Sequence, residues 1–311
     1  ALFGAAWTFP VLLIASVLTF PASSAFVSLS QATLMDLNHG RQAQMVARWS
    51  LAGTVGNLVG PLMLAGGLAF GFGWRWLYLG LALICLGFVI MVLKKEFPPR
   101  SLRKGRPGEE LKDVLRGAWK AVRNLHLLRW IVLLQFSDLL LDIFTGFLAL
   151  YFTEAAGFTN AQSSVVVSVY IAASLGADFL VVRLLEQIPG RKLVRSTAAI
   201  MLVVYPLWLL VPWTWAKLAL LMVLPFCRMG WYPVLEGESF ATIPERSATV
   251  NFVGSLGGPL AAGLAYMVSA AAEAFTLPAA MWLLLLGPLF LVLFVPREET
   301  RISNRERESI S

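Results

Sequence analysis

Long apolar runs, separated by short polar segments, set the pattern of this chain. Nine runs stand out, at residues 10–36, 48–70, 74–93, 127–152, 162–183, 194–212, 216–238, 248–270 and 277–296. Each is close to the roughly 20 residues needed to cross a hydrocarbon layer about 30 Å thick. None shows the strict alternation of a half-buried strand. A backbone in lipid must satisfy its own hydrogen bonds, so runs of this length predict membrane-spanning helices. The expected fold is all-α and polytopic, and residues 1–8 read as the end of a further span.

The connections alternate in charge. One set carries Arg41 and Arg48, the ten Lys and Arg from Lys94 to Arg123, Arg183, Arg191, Lys192 and Arg195, then Arg246, Arg297, Arg301, Arg305 and Arg307. The other set carries only Arg75 and Lys217. Basic connections stay on the cytoplasmic side, so this asymmetry predicts a cytoplasmic C-terminus. Trp213, Trp215 and Tyr78 fall near the opposite interface, where amphipathic rings settle. The longest connection, 94–125, opens with Pro98, Pro99, Gly105, Pro107 and Gly108. It ends in a helical pattern with Leu111, Val114, Leu115, Ala118, Trp119 and Val122 on one stripe and Lys112, Arg116, Lys120 and Arg123 on the other side. That pattern predicts an amphipathic helix on the inner leaflet.

A short sequence occurs twice. Val55-Gly56-Asn57-Leu58-Val59-Gly60-Pro61-Leu62 returns 198 residues later as Val253-Gly254-Ser255-Leu256-Gly257-Gly258-Pro259-Leu260. Tandem repeats of membrane helices are a mark of transporters whose site lies between two related bundles. The expected division is residues 1–93 for the end of a first bundle, 94–125 for a basic linker, 126–296 for a second bundle of six helices and 297–311 for a tail. The offset places Ala1 inside the third helix of a six-helix half, with about 72 residues of that half expected before it. The small residues of the repeat let helices approach closely, and Pro61 removes a backbone donor and bends its helix.

Composition narrows the classes. The chain is 58% hydrophobic and 14% charged, with mean hydropathy +0.73, far from the about 25% charged residues of soluble domains. The formal charge of +7 and pI near 9.7 come from the connections, which excludes a nucleic-acid-binding surface. Cys85 and Cys227 lie in apolar runs and form no metal or disulfide pattern. His39 and His126 sit at span edges. HExxH, Gly-x-Ser-x-Gly and Cys/His clusters do not occur, so no enzymatic site, cofactor or metal is expected.

Ionisable groups inside the spans are the candidate chemistry, because charge at mid-membrane is costly and is kept for function. Asp138 and Asp142 lie near the middle of span 127–152, one turn apart on one helix face. Arg228 lies near the middle of span 216–238. Two carboxylates a turn apart can share one proton, and the arginine can pair with them or hold an anion. A structural ion pair between the two helices is the other reading. Asp178 lies toward the end of its span and reads as a gating or structural charge. Glu236 and Glu238 read as wet groups at a span end, and Asp36 as interfacial.

These features together resemble the major facilitator superfamily. Gly56-x-x-x-Gly60-Pro61 followed by Gly66-Gly67 resembles the fifth-helix motif of its proton-driven exporters, in a loose form because four residues separate Pro61 from the glycine pair. Gly73-Trp74-Arg75-Trp76 is similar to a frequent family junction. Leu185-Glu186-Gln187-Ile188-Pro189-Gly190-Arg191-Lys192 resembles the family's basic loop after the eighth helix, with Glu186 in place of the usual Asp and one residue inserted. Pro244-Glu245-Arg246-Ser247 resembles the loop before the eleventh helix. The resemblance implies a twelve-helix transporter in two six-helix bundles, with helices one, four, seven and ten around a central cavity. It assigns substrate and proton coupling to Asp138, Asp142 and Arg228. It offers Ser24, Ser28, Gln31, Gln135, Trp231 and Tyr232 as cavity residues, and Glu186, Gly190, Arg191 and Lys192 as a gating loop. Gly56, Gly60, Pro61, Gly254, Gly258 and Pro259 are the structural motif. The implied activity is proton-coupled efflux of a small molecule by a monomer in a bacterial inner membrane. Uptake by proton symport is the alternative, followed by a transport-dead sensor and a membrane-embedded enzyme.

Overall fold

A computed structural model describes residues 3–69, 71, 74–94, 116, 117, 119–243 and 246–297, all in helices, turns and connections. Nine long helical units occur among the described residues. They are α1 (Phe9–Leu37), α2 (Gln42–Ala69), α3 (Trp74–Leu93), α4 (Leu125–Ala155), α5 (Asn160–Gln187), α6 (Gly190–Leu210), α7 (Thr214–Thr242), α8 (Ser247–Ala274) and α9 (Leu277–Phe294). All except α2, which has a comparable length, are long and apolar enough over their described residues to cross a membrane. The fold is therefore all-helical and polytopic. Most of the basic linker, the tail beyond Arg297, Gly73 of the Gly-Trp-Arg-Trp junction and Pro244-Glu245 lie outside the described residues, as does the Pro61 side chain.

Local chemistry sets the ends of these helices. The Asn124 side chain accepts from the backbone N–H of His126 and Leu127, capping α4. Thr159 and Gln162 form a reciprocal capping box at the start of α5. Both satisfy donors that the first helical turn leaves unpaired.

Helices α4 to α9 enclose the main core, which takes in Ala47 of α2. At its centre Phe144 meets Tyr170, Tyr205 and Trp208 edge-on, with ring centroids 5.4–5.8 Å apart. The Tyr205 hydroxyl donates to the Met281 carbonyl at 3.0 Å. A second cluster joins Met35, Val46, Leu127, Ile131, Phe240 and Val250 where α1, α2, α4, α7 and α8 converge. The end of the linker packs there through Ala121 and Val122, whereas Trp119 of the expected apolar stripe is 60% exposed, beneath the Arg123 guanidinium.

The clamp at the less basic end carries a measurable load. Lys217 donates to the Tyr151 hydroxyl at 2.7 Å and to the Leu209 carbonyl at 3.3 Å, and its ammonium lies 5.1 Å from the Tyr151 ring centroid. It ties α7 to α4 and α6. A hydrogen bond plus a cation–π contact is worth about 1–2 kcal/mol in such a setting. Lys217→Met is therefore expected to lower the melting temperature of the detergent-purified protein by roughly 3–6 °C. An unchanged melting temperature would show the clamp to be decorative.

The twin Gly-Pro sequences fold differently. Helix α2 runs unbroken through its copy, whereas α8 breaks at Leu256–Gly257 and restarts with Pro259 in its first turn. A Cβ at Gly56, Gly60, Gly254 or Gly258 would meet no atom of the described residues within 4 Å. The tight approaches lie elsewhere, at Gly257 beside Gln135 and at Gly237 against Ala43.

Candidate functional site

Two interrupted helices build the site. In α4, Leu139–Ile143 forms a π turn flanked by regular helix, with the Phe144 N–H bonded to the Leu139 carbonyl. Such turns insert a residue into a helix and free a carbonyl, and they are frequent at functional sites. Here the Leu141 carbonyl receives the Thr145 hydroxyl at 2.9 Å and the Arg228 Nη1 at 3.5 Å. In α7 the helix stops at Cys227, two residues after Pro225, and resumes at Trp231. Gly230 takes φ +82° in the gap, and a Cβ there would also strike Leu193 and Val181. This break holds Arg228 between α4 and α5.

The two interruptions face a cavity of about 450 Å³ bounded by α2, α4, α5 and α7. Asp138, Asp142, Asp178, Arg228, Tyr170 and Tyr232 supply its chemistry. Arg228 donates from Nη2 to the Ser174 hydroxyl at 3.0 Å, and its guanidinium carbon lies 5.5 Å from the Tyr170 ring centroid. Among the described residues its buried Nε has no hydrogen-bond partner, and neither has the buried Tyr170 hydroxyl. Asp178 accepts from the Thr54 hydroxyl at 3.1 Å and lies within electrostatic reach of Arg228. Asp142 and Glu236 act on Asp138 in the same way, and all three carboxylates act on Tyr232. The cavity thus sets three carboxylates, Asp138, Asp142 and Asp178, against the single guanidinium of Arg228. Groups of three or more His, Cys, Asp or Glu arranged to hold a metal are absent among the described residues.

The structure brings Asp138, Asp142, Arg228 and Tyr232 to one cavity. Other expected cavity residues stand apart. Trp231 is fully buried and donates from Nε1 to the Thr197 hydroxyl at 2.9 Å, because neighbouring helical residues point about 100° apart. Gln135 faces Gly257 of α8. Ser24 and Ser28 are exposed on α1. Gln31 is buried beside Tyr232. Asp178, read as a gating charge, lines the cavity. Glu238, read as wet, accepts two bonds from Arg191 at 2.8 and 2.6 Å. The signal that points to Asp178 is spacing: Tyr170, Ser174 and Asp178 recur every four residues. Polar groups at that interval share one helix face.

Contacts of the expected gating loop gather at the basic end of the bundle. Arg48 pairs with Glu186 at 2.9 Å, and Gln44 donates to the Leu185 carbonyl at 2.8 Å. Asp36 accepts from the Ser247 hydroxyl at 2.5 Å. Gly190 packs under Val234. The polar links join α1 and α2 to α5 and α8 there, and Gly190 joins α6 to α7, while only 6% of the most apolar stretch of α1 is buried.

A sequence model described as Major Facilitator Superfamily matches residues 1–249. No curated protein matches the sequence. Among solved structures, the chain is similar to FucP, described as a Major Facilitator Superfamily transporter in the outward conformation. The TM-score is 0.72 at 13% identity, over 94% of this chain and 78% of that one. It is also similar to a variant of the E. coli fucose:proton symporter FucP, with TM-score 0.66 at 15% identity and the same coverage.

Proposed function

Given that the chain belongs to the major facilitator superfamily, we propose that it moves a small polar molecule through the cavity between α2, α4, α5 and α7, with protons as the coupling ion. Secondary transport follows from the family and fold. The observation that carries the coupling reading is the cavity itself, where Asp138, Asp142 and Asp178 share one wall space with Arg228 inside membrane-spanning helices. Carboxylates in that position can take up and release protons, and charges are kept in membranes for such work. The unpaired Arg228 Nε and Tyr170 hydroxyl are donors suited to substrate oxygen atoms.

Export by antiport is supported by the fifth-helix motif Gly56-x-x-x-Gly60-Pro61. Uptake by symport is the second reading, favoured by the likeness to a protein described as a fucose:proton symporter. The charge asymmetry of the connections supports a cytoplasmic C-terminus in a bacterial inner membrane. The repeat supports two bundles, 1–93 and 126–296, in one monomer.

The test is substrate-dependent proton movement by the natural protein in proteoliposomes carrying a pH-sensitive dye. A panel of sugars, organic anions and organic cations is added under an imposed pH gradient. At least one member is expected to move protons. Its direction, against or along the proton flux, separates antiport from symport. Silence across all three classes in a folded preparation would overturn the reading.

A further inference from the structure

A second cavity, of about 1300 Å³, lies at the basic end between α4, α6 and α9. It shares Arg191 and Lys192 with the gating loop and no residue with the central cavity. Five cations line it, Arg129, Arg191, Lys192, Arg195 and Arg297, against the single carboxylate of Glu238. Three of them are already engaged. Arg129 donates to the Phe294 carbonyl and Arg195 to the Val295 carbonyl, which satisfies the last turn of α9. Arg191 holds Glu238. Lys192 and Arg297 are exposed and make no hydrogen bond with another described residue.

The other part of the wall is apolar. Trp130, Ala199 and Val292 line it, and Ala199 is nine residues into α6, about 13 Å from its first residue along the helix axis. Ser196 and Ala199 are both exposed on the outer side of that helix. The cavity therefore extends from the charged end of the bundle along exposed residues of α6, an apolar membrane-spanning helix.

We propose that this cavity is a binding site for a diacyl lipid with an anionic phosphate headgroup, whose phosphate meets Lys192 and Arg297 and whose chain lies along Ala199 and Val292. A phosphate wants several cations in one place, and basic pockets between helices at an interface supply that. A free phosphate would use only the charged end. The depth of the apolar wall favours a lipid as the source of the phosphate.

Native mass spectrometry of the detergent-purified chain tests it, with phosphatidylglycerol, phosphatidylcholine and inorganic phosphate as probes. Phosphatidylglycerol is expected to be retained in preference to phosphatidylcholine. The Lys192→Ala/Arg297→Ala double variant is expected to weaken phosphatidylglycerol retention by roughly 10- to 30-fold, from about a fivefold effect per basic residue near an anionic headgroup. The Lys192→Arg/Arg297→Lys variant is expected to keep it, which separates lost charge from lost fold. Equal retention of the two lipids, or a double variant that binds like the parent, overturns the proposal. Displacement of phosphatidylglycerol by millimolar inorganic phosphate also overturns it and assigns the site to a free anion.

Discussion

Asp138→Asn is expected to cut proton-coupled transport at least about 100-fold, the scale on which removing a proton-transfer group acts, while the protein still folds. The carboxylate sits where α4 enters its π turn, on the wall of the central cavity, with Asp142 and Glu236 acting on it. Asn has nearly the same shape and can hold hydrogen bonds, but it cannot carry a proton. Its folding consequence should be small for a specific reason. Among the described residues the ion pairs are Arg48–Glu186 and Arg191–Glu238, and Asp138 is in neither. Its charged neighbours are like-charged, so a neutral group there relieves repulsion. Glu238→Gln provides the contrast, because it leaves a half-buried Arg191 without its carboxylate and should destabilise the protein. The measurement is substrate-driven proton flux in proteoliposomes, beside melting temperature. An Asp138→Asn variant that keeps half of the flux would make that carboxylate structural and shift the coupling role to Asp142 or Asp178.

Gly237→Ala is expected to lower the melting temperature by roughly 5–10 °C, from an overpacking cost of about 2–3 kcal/mol. A Cβ at Gly237 would lie 2.5 Å from the Ala43 nitrogen and 2.6 Å from its Cα. Both are backbone atoms, so no rotamer change relieves the clash, and α2 and α7 must separate. These helices meet at the basic end, beside the Arg48–Glu186 and Asp36–Ser247 links. The substitution is expected also to slow transport, because it opens the α2–α7 seam at that end. Gly56→Ala is the control. A Cβ there meets nothing within 4 Å, and replacing a helical glycine by alanine gains about 0.5–1 kcal/mol. A Gly237→Ala protein that melts within a degree of the parent would mean the seam yields more easily than its geometry implies.

How much of this was legible in the sequence differs from residue to residue. The run at 127–152 became α4 over Leu125–Ala155, and that at 216–238 became α7 over Thr214–Thr242. Asp138, Asp142 and Arg228 reached one cavity, as their depths required. Asp178, which reads as a gating or structural charge, lines the same cavity, and its four-residue spacing from Ser174 and Tyr170 marks the shared face. Trp231 was placed on the wrong side of α7, since its position relative to the Gly230 break could not be read from hydropathy.

Hydropathy, charge asymmetry and the position of buried charges are properties of segments and of depth. The cost of placing a residue in hydrocarbon depends on how deep it lies, so the chain alone determined the helices, the basic end and the level of the charged groups. Direction around a helix axis is different. In spans that are apolar nearly all round, no face is marked for the core, and neighbours decide which side is buried. The π turn in α4, the break at Arg228–Gly230, the Gly237–Ala43 seam and the pairing of Arg191 with Glu238 all depend on contacts between helices far apart in the chain. Tertiary packing settled those, because only the assembled bundle offers the partners that make one rotation of each helix better than another.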